Sequence, residues 1–252
     1  MDKVRTIVLH RSVYADNDEE ANLLRAYLKD KGVLVVNLMS SPGAGKTTML
    51  TSLINMIKKD LRVGVMEADI DSDIDAIKIK ENTGVKSIQL CTSGMCHLDA
   101  GMTKNGLDAI DISDLDIIFL ENVGNLVCPA EFDTGASINV MILSIPEGDD
   151  KPLKYPLVFE KSDLVIISKI DTIGYFNFDM DKCINQIKRR NMNATIIPIS
   201  AKTGENMDKV AEYFINKVKE FKEQNLCLNK MKKSNRSMKV KKATNMKRNS
   251  KS

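Results

Sequence analysis

Seven apolar runs recur along the chain, each four to seven residues long and bounded by polar or glycine-containing turns. They are Val33–Leu38, Val63–Met66, Val85–Cys91, Asp116–Leu120, Ile138–Ser144, Leu164–Ser168 and Thr195–Ile199. Runs of this kind, alternating with segments of helical periodicity, are typical of parallel strands that are covered by helices on both faces. The pattern therefore predicts a single α/β domain with a mostly parallel sheet.

Helical spacing appears before, between and after these runs. In residues 1–32 we expect a helical lead-in with Ala21, Leu23, Leu24, Tyr27 and Leu28 on one face. A helix is also predicted over Asp181–Arg190, and a final one is marked by Met207, Val210, Phe214, Val218 and Phe221. The predicted organisation is a lead-in over 1–32, the α/β domain over 33–226 and a tail over 227–252.

The segment VVNLMSSPGAGKTTML, residues 35–50, joins a strand, a glycine-rich turn and a helix. This layout suits a phosphate-binding loop, because backbone N–H groups and the helix N-terminus can then face phosphate oxygens. Lys46 is expected to reach the β- and γ-phosphates and Thr47 to ligate Mg²⁺, whereas Ser40 replaces the first glycine of the usual motif. The predicted fold is thus a Rossmann-like P-loop NTPase domain. The candidate nucleotide-binding residues here are Gly43, Ala44, Gly45, Lys46, Thr47 and Thr48.

Acidic residues follow two of the predicted strands. Glu121 opens an E-x-x-G segment after the fourth run, where a carboxylate can hold Mg²⁺ and the Gly124 amide can approach a γ-phosphate. Asp69 follows the second run and is another candidate on the Mg²⁺ side. Asp75 could orient the attacking water. Lys46, Asp75 and Glu121 are therefore the predicted catalytic residues.

Two further segments indicate guanine recognition. Ser168-Lys169-Ile170-Asp171 resembles the N-K-x-D motif, in which the acid accepts two hydrogen bonds from the guanine edge that adenine cannot supply. We expect Ser168, in the place of Asn, to lose one amide contact. Ser200, Ala201 and Lys202 match the loop that reads the guanine carbonyl. The order of the four segments favours GTP, with Mg²⁺, as the ligand.

Charge and cysteine content indicate the character of the tail and the cellular compartment. Residues 228–252 hold ten Lys and Arg residues and no acid, so the other 227 residues carry 27 basic against 34 acidic residues. The body is acidic, and the tail is expected to be disordered. With five cysteines and no long apolar run, we expect a cytoplasmic protein without a membrane span.

A thiol–imidazole pair and one more thiol stand in the loops at the nucleotide edge. Cys96 and His97 are adjacent, and Cys128 follows the E-x-x-G segment. These ligands suit Zn²⁺ or Ni²⁺, although such a pair is often incidental. One chain supplies too few ligands for a closed four-coordinate site, which a two-fold dimer would supply.

The segments SSPGAGKTT, CHLDAGM, ENVGNLVCPAEFDTG and EGDDKPLKYP resemble the hydrogenase nickel-incorporation GTPases, the HypB family of the SIMIBI class, from about Ala21 to Phe221. This resemblance implies a homodimeric GTPase that delivers nickel to the large-subunit precursor of [NiFe]-hydrogenase with a HypA-type chaperone. It also implies that Cys96, His97 and Cys128 form an interface site for Ni²⁺ or Zn²⁺. The N-terminal cysteine cluster and the His-rich stretch of some members do not occur before the phosphate loop.

Three other functions remain open from the sequence. The chain could serve urease as an accessory GTPase, although the NLVCP segment argues against this. It could be a metal-binding adaptor in which nucleotide governs assembly rather than turnover. A nucleic-acid-associated GTPase acting through the tail is the least favoured.

Overall fold

The computed structural model describes residues 5–8, 17–69 and 74–226, with the backbone alone for 5–8. The basic tail predicted over 227–252 lies outside the described residues. None of the described helices is long and apolar enough to cross a membrane.

Eight strands form one sheet in the order β1-β4-β3-β5-β2-β6-β7-β8, and every pairing is parallel. The predicted α/β fold with a parallel sheet is confirmed. β2 lies at the centre, so the loop that follows it leaves the middle of the sheet. The strands are β1 (Arg5–Val8), β2 (Leu34–Ser40), β3 (Val63–Asp69), β4 (Lys86–Cys91), β5 (Ile117–Glu121), β6 (Ile138–Ser144), β7 (Leu164–Ser168) and β8 (Thr195–Pro198).

The seven predicted strands are all present, but β1 was not predicted. Residues 5–8 read RTIV, a run too short to separate from a helix by periodicity. They form a strand because the outer edge of β4 offers unpaired backbone groups, with Arg5 opposite Ile88 and Val8 opposite Cys91. The prediction of a wholly helical lead-in is therefore wrong over 5–8.

Helices cover both faces of the sheet, as predicted. They are α1 (Asn17–Lys31), α2 (Lys46–Ile57), α3 (Ile74–Thr83), α4 (Ala100–Ile110), α5 (Cys128–Glu131), α6 (Lys151–Lys154), α7 (Pro156–Glu160), α8 (Met180–Arg190) and α9 (207–226). Neighbouring residues of β2 point to opposite faces: Val36 packs with the α2 side chains, and Val35 packs with Leu24 and Leu28 of α1. Both faces of the sheet are therefore core.

The buried face of α1 is narrower than predicted. Ala21, Leu24 and Leu28 are buried, at the spacing of one helical stripe, whereas Leu23 is 65% exposed. Tyr27 lies at the edge of that stripe, where the ammonium groups of Lys31 and Lys104 lie over its ring. The predicted face was too wide, because residues that are adjacent in the sequence lie about 100° apart around a helix.

Candidate nucleotide and metal sites

The phosphate loop connects the centre of the sheet to α2. Its glycines Gly43 and Gly45 have φ values of 74° and 95°, in the left-handed region that favours glycine. Gly45 is the N-cap of α2, whose buried face consists of Met49, Leu50, Leu53, Ile54 and Ile57. This packing fixes the helix N-terminus at the mouth of the cavity beside the loop.

Two side chains of this loop are held in place by neighbours. Lys46 Nζ donates to Ser40 Oγ at 2.9 Å, and Ser40 Oγ in turn donates to the carbonyl of Ser41 at 2.7 Å. The serine that replaces the usual glycine therefore positions the lysine. Thr47 Oγ1 donates to Glu121 Oε1 at 3.0 Å, which brings together two of the predicted Mg²⁺ ligands.

Two buried carboxyl groups lie side by side beneath the loop. Glu67 and Glu121 are 4% and 2% exposed, and one oxygen of each, Oε2, has no hydrogen-bond partner among the described residues. Burial, and then the charge of Glu121, raises the pKa of Glu67 well above its usual value; burial also raises the pKa of Glu121. Buried carboxyl oxygens without partners, next to a lysine and a threonine hydroxyl, fit a divalent cation.

The sequence analysis did not select Glu67 as a site residue. The signal was nonetheless present, because this residue is an acid inside the strand VGVMEAD, whose other members are almost all small or apolar. A carboxylate in a strand that is buried on both faces needs a partner, and a ligand can be that partner.

These groups line a cavity of about 860 Å³. The lining includes most of the predicted nucleotide residues: Gly43, Gly45, Lys46, Thr47, Thr48, Asp69, Asp75, Glu121, Lys169 and Ala201. Asp75 lies in the first turn of α3, and its Oδ1 lies 3.0 Å from Lys78 Nζ. Ala44 is buried behind the loop, and Lys202 is exposed outside this lining.

The segment after Glu121 is fixed between the phosphate loop and the sheet. A Cβ on Gly124 would lie 3.0 Å from Pro42 Cγ and 3.1 Å from Pro42 Cα, so the two loops are in direct contact. Asn122 Nδ2 donates to Asn37 Oδ1 at 3.0 Å, and Asn37 Nδ2 donates to Asn139 Oδ1 at 3.0 Å. This chain of amides crosses from the end of β5 to β6.

The predicted base-recognition residues meet at the ends of β7 and β8. Ser168 Oγ donates to the carbonyl of Ala44 at 2.7 Å, so the hydroxyl contacts the phosphate loop. Lys169 Nζ donates to the carbonyl of Gly43 at 2.7 Å. Ser200 Oγ donates to Asp171 Oδ1 at 2.6 Å, which orients the carboxylate.

The three predicted metal ligands form a separate cluster. The ligand atoms of Cys96, His97 and Cys128 all lie within 4.8 Å of one another, and the two Sγ atoms are 2.8 Å apart. The His97 ring stacks on Phe132 at 3.6 Å, and Asn125 Nδ2 contacts Cys128 Sγ at 3.5 Å. Two thiols and an imidazole are ligands that suit a Zn²⁺ or Ni²⁺ ion, and the two Sγ atoms would move apart to bind one ion tetrahedrally at a Zn–S distance of about 2.3 Å.

Burial distinguishes the thiols of the cluster from Cys183. Contact with Cys96, together with partial burial, raises the pKa of Cys128. Cys183 is fully buried in the core, which raises its pKa to about 12. Cys183 thus packs as a small apolar residue, away from the cluster.

Comparison with known proteins shows which family this chain resembles. The sequence profile of the family described as "CobW/HypB/UreG, nucleotide-binding domain" matches residues 34–198. The hydrogenase maturation factor HypB of Azotobacter chroococcum is 41% identical over 203 residues, which are 81% of this chain and 66% of that protein. The chain belongs to the HypB family. It spans about two thirds of the length of the Azotobacter relative.

Two other HypB proteins match over more of their length. The hydrogenase/urease maturation factor HypB of Helicobacter hepaticus is 41% identical over 217 residues, 84% of this chain and 88% of that protein. A crystal structure of HypB from Helicobacter pylori in complex with nickel is 37% identical, with a TM-score of 0.78, over 82% of this chain and 96% of that one. The nickel in that structure belongs to that protein.

Proposed function

We propose that this chain is a GTP-hydrolysing nickel metallochaperone that acts in the maturation of [NiFe]-hydrogenase. The observation that carries the proposal is the run from Glu121 to Cys128. It begins with a carboxylate in the nucleotide cavity and ends with a thiol of the metal cluster. A change at the γ-phosphate can therefore alter the metal ligands through one short segment.

The cavity has the groups that GTP hydrolysis needs. Lys46 would donate to the β- and γ-phosphates, and Thr47, Asp69 and Glu121 would hold Mg²⁺, which neutralises charge on the phosphates. Glu67 is a further carboxylate for the ion or its water. Asp75, at the rim, would orient the attacking water, and Asp171 would read the guanine edge.

Nickel is the cargo in this proposal, not a resident cofactor. Cys96, His97 and Cys128 would hold Ni²⁺ or Zn²⁺, and two thiolates permit either a tetrahedral or a square-planar arrangement. Three ligands leave the site open to a ligand from a second chain. A homodimer, a HypA-type chaperone and the hydrogenase large-subunit precursor are the proposed partners. None of the described residues that line the cavity is an arginine, which could stabilise the charge of the transition state. We therefore expect GTP hydrolysis to be slow without a partner.

A second candidate function is the maturation of urease. It is favoured by the H. hepaticus relative, which is a hydrogenase/urease maturation factor. The two functions share the same nucleotide and metal chemistry. Expressing this chain in cells that lack it, and then assaying hydrogenase and urease, would distinguish the two functions. Only the enzyme that this chain supplies with nickel should regain activity.

The deciding experiment titrates Ni²⁺ and Zn²⁺ into the purified protein with GDP and with a non-hydrolysable GTP analogue, while native mass spectrometry records the assembly. We expect about one ion per dimer, a metal affinity that depends on the nucleotide, and loss of binding in Cys96→Ala and Cys128→Ala. Cys183→Ala is the matched control, because this cysteine lies outside the cluster.

Two results would overturn the proposal. Metal binding that is equal with both nucleotides would leave a GTPase with a passive metal site. Stable GTP binding without phosphate release, even with metal and partner present, would make the chain an adaptor in which nucleotide governs assembly. A Lys46→Ala variant that hydrolyses GTP normally would disprove the active-site assignment.

A further inference from the structure

Asn17, the first residue of α1, connects two segments that are far apart in sequence. Its side chain is buried, and both ends of the amide are used. The backbone N–H of Ala100 donates to Asn17 Oδ1 at 2.9 Å, and Asn17 Nδ2 donates to the carbonyl of Asp133 at 3.1 Å. One amide thus bridges the start of α4 and the segment after α5.

Each of these two segments carries metal ligands. Ala100 follows the loop Cys96–Asp99 directly, and that loop is fixed by fully buried Leu98 and by Asp99, which caps α4 through Met102 N at 2.8 Å. The end of the Cys96–His97 loop is therefore held at the point that Asn17 contacts.

The other segment begins at Cys128. α5 runs from Cys128 to Glu131, and Phe132, the residue before Asp133, stacks on the His97 ring. Asp133 is also held by Arg25 of α1, whose two terminal nitrogens each lie 2.8 Å from its carboxylate. Helix α1 therefore fixes the segment after Cys128 through both the backbone and the side chain of Asp133.

We propose that Asn17 is a positioning residue that sets the distance between the Cys96–His97 pair and Cys128. This inference rests on the proposed metal-binding function. A metal site needs its ligands at fixed separations, and the groups that orient ligands typically contribute ten- to a hundredfold to metal affinity. The side chain of Asn17 bonds to backbone atoms of Ala100 and Asp133, so we expect its effect on the metal ligands to pass through these two bonds.

The test compares Ni²⁺ affinity, by competition with a chromophoric chelator, in the full-length wild type, Asn17→Ala, Asn17→Asp and Asn22→Ala. The sulfur-to-nickel charge-transfer absorption is recorded in the same titration. Asn22 is the matched control, because it is an exposed asparagine of the same helix whose loss leaves both bonds between Arg25 and Asp133 in place. Far-UV circular dichroism and GDP affinity show whether each variant is folded.

We expect Asn17→Ala to weaken Ni²⁺ binding by about tenfold or more and to shift the absorption, while Asn22→Ala stays within about twofold of the wild type. Asn17→Asp cannot donate to Asp133, so it should also weaken binding; it carries the test if Asn17→Ala does not fold. A folded Asn17→Ala protein with wild-type affinity and spectrum overturns this inference alone. If the wild type binds no Ni²⁺, or Cys128→Ala leaves its affinity unchanged, the proposed function falls as well.

Discussion

At the scale of single residues, Glu67 and Glu121 are two acids buried side by side with raised pKa values. Both are buried, and each has an oxygen without a partner among the described residues. Groups that favour ligand binding over ligand-free stability are common at functional sites. The pair should therefore weaken the empty protein and strengthen the complex with a cation.

Replacing Glu67 by Gln should stabilise the nucleotide-free protein at pH 7. The pKa of Glu67 is raised in the folded state above its value in the unfolded chain, about 4.3. The stability that Glu67 contributes is therefore complete below about pH 4.3 and is lost as the pH rises through the folded pKa. The advantage of Glu67→Gln over the wild type should grow with pH, to the order of 1 kcal/mol, or about 2–4 °C in Tm. Thermal unfolding between pH 4 and pH 8 measures it.

The control for this variant is Glu81→Gln, which removes the same charge from an exposed position of α3. Glu81→Gln should not change the slope of Tm against pH. Adding Mg²⁺ and GDP should reverse the order of wild type and Glu67→Gln, because the amide is a poorer cation ligand. An unchanged pH profile in Glu67→Gln would show that the carboxyl pair is not strained.

At the scale of elements, the loop between β5 and α5 connects the nucleotide cavity to the metal cluster. Its first part is packed against Pro42 at Gly124, and the residue that follows it, Cys128, is a proposed metal ligand. A loop packed this tightly on the phosphate loop cannot move independently of the groups that contact phosphate.

Gly124→Ala should separate hydrolysis from binding. The added Cβ would lie 3.0–3.1 Å from Pro42 atoms that include backbone, so one of the two loops must shift. We expect the kcat for GTP hydrolysis to fall by about tenfold or more, since a displaced amide no longer faces the γ-phosphate, while GDP affinity changes by less than about threefold. Steady-state phosphate release and fluorescent GDP binding measure the two quantities.

Val127→Ala is the matched control, because Val127 lies in the same loop with its side chain 47% exposed. It should keep the wild-type kcat. Equal losses of kcat and of GDP affinity in Gly124→Ala would instead mean that the variant distorts the phosphate loop as a whole.

The elements differ in how far the sequence could predict them. Seven strands were predictable because each overlaps an apolar run, including β8 at one edge of the sheet. The strand at the other edge, β1, is the short run RTIV, which periodicity does not identify as a strand. The proximity of Cys96 to Cys128 was not derivable from spacing, because β3 lies between the strands that precede them. The role of Ser168 was also missed: its hydroxyl reaches the carbonyl of Ala44, a contact that only three-dimensional structure reveals.

At the scale of the whole molecule, a cluster of charged side chains connects distant elements at the N-terminal ends of the strands, opposite the nucleotide cavity. Asp116 is buried at the start of β5; it accepts from Arg62 N at 2.9 Å and Arg62 Nη2 at 2.8 Å and also pairs with Lys222 of α9. These bonds, led by that of the Arg62 side chain, hold the pKa of Asp116 far below its usual value.

Asp116→Asn should lower the free energy of unfolding at pH 7 by roughly 1–3 kcal/mol, less than for a fully buried pair because Arg62 is mostly exposed. Since the folded pKa is lowered, the stability from Asp116 is present above about pH 3.9 and is lost as the pH falls through the folded value. The difference from the wild type should therefore shrink in acid. Urea unfolding at several pH values tests this, with exposed Asp114→Asn as the control.

The proposed dimer needs an exposed apolar surface, and one follows the base-recognition motif. Ile173, Tyr175 and Phe176 are 39%, 86% and 45% exposed, immediately after Asp171. A dimer contact formed by these residues would depend on the bound nucleotide, because Asp171 and Lys169 just before them are proposed to contact its base and phosphates. Tyr175→Asp and Phe176→Asp should each weaken dimerisation with a GTP analogue by about tenfold or more, since a charge would then be buried in an apolar contact.

Sedimentation velocity with the GTP analogue measures this effect. Met192→Asp is the control, because Met192 is 81% exposed between α8 and β8, at the opposite end of the strands from the segment after β7. GDP affinity should be unchanged in all three variants. If Tyr175→Asp dimerises like the wild type, the dimer uses another surface. If it stays monomeric yet still binds Ni²⁺ with wild-type affinity, one chain closes the metal site alone. Loss of both properties together would mean that the Cys96–His97–Cys128 cluster is completed across the dimer.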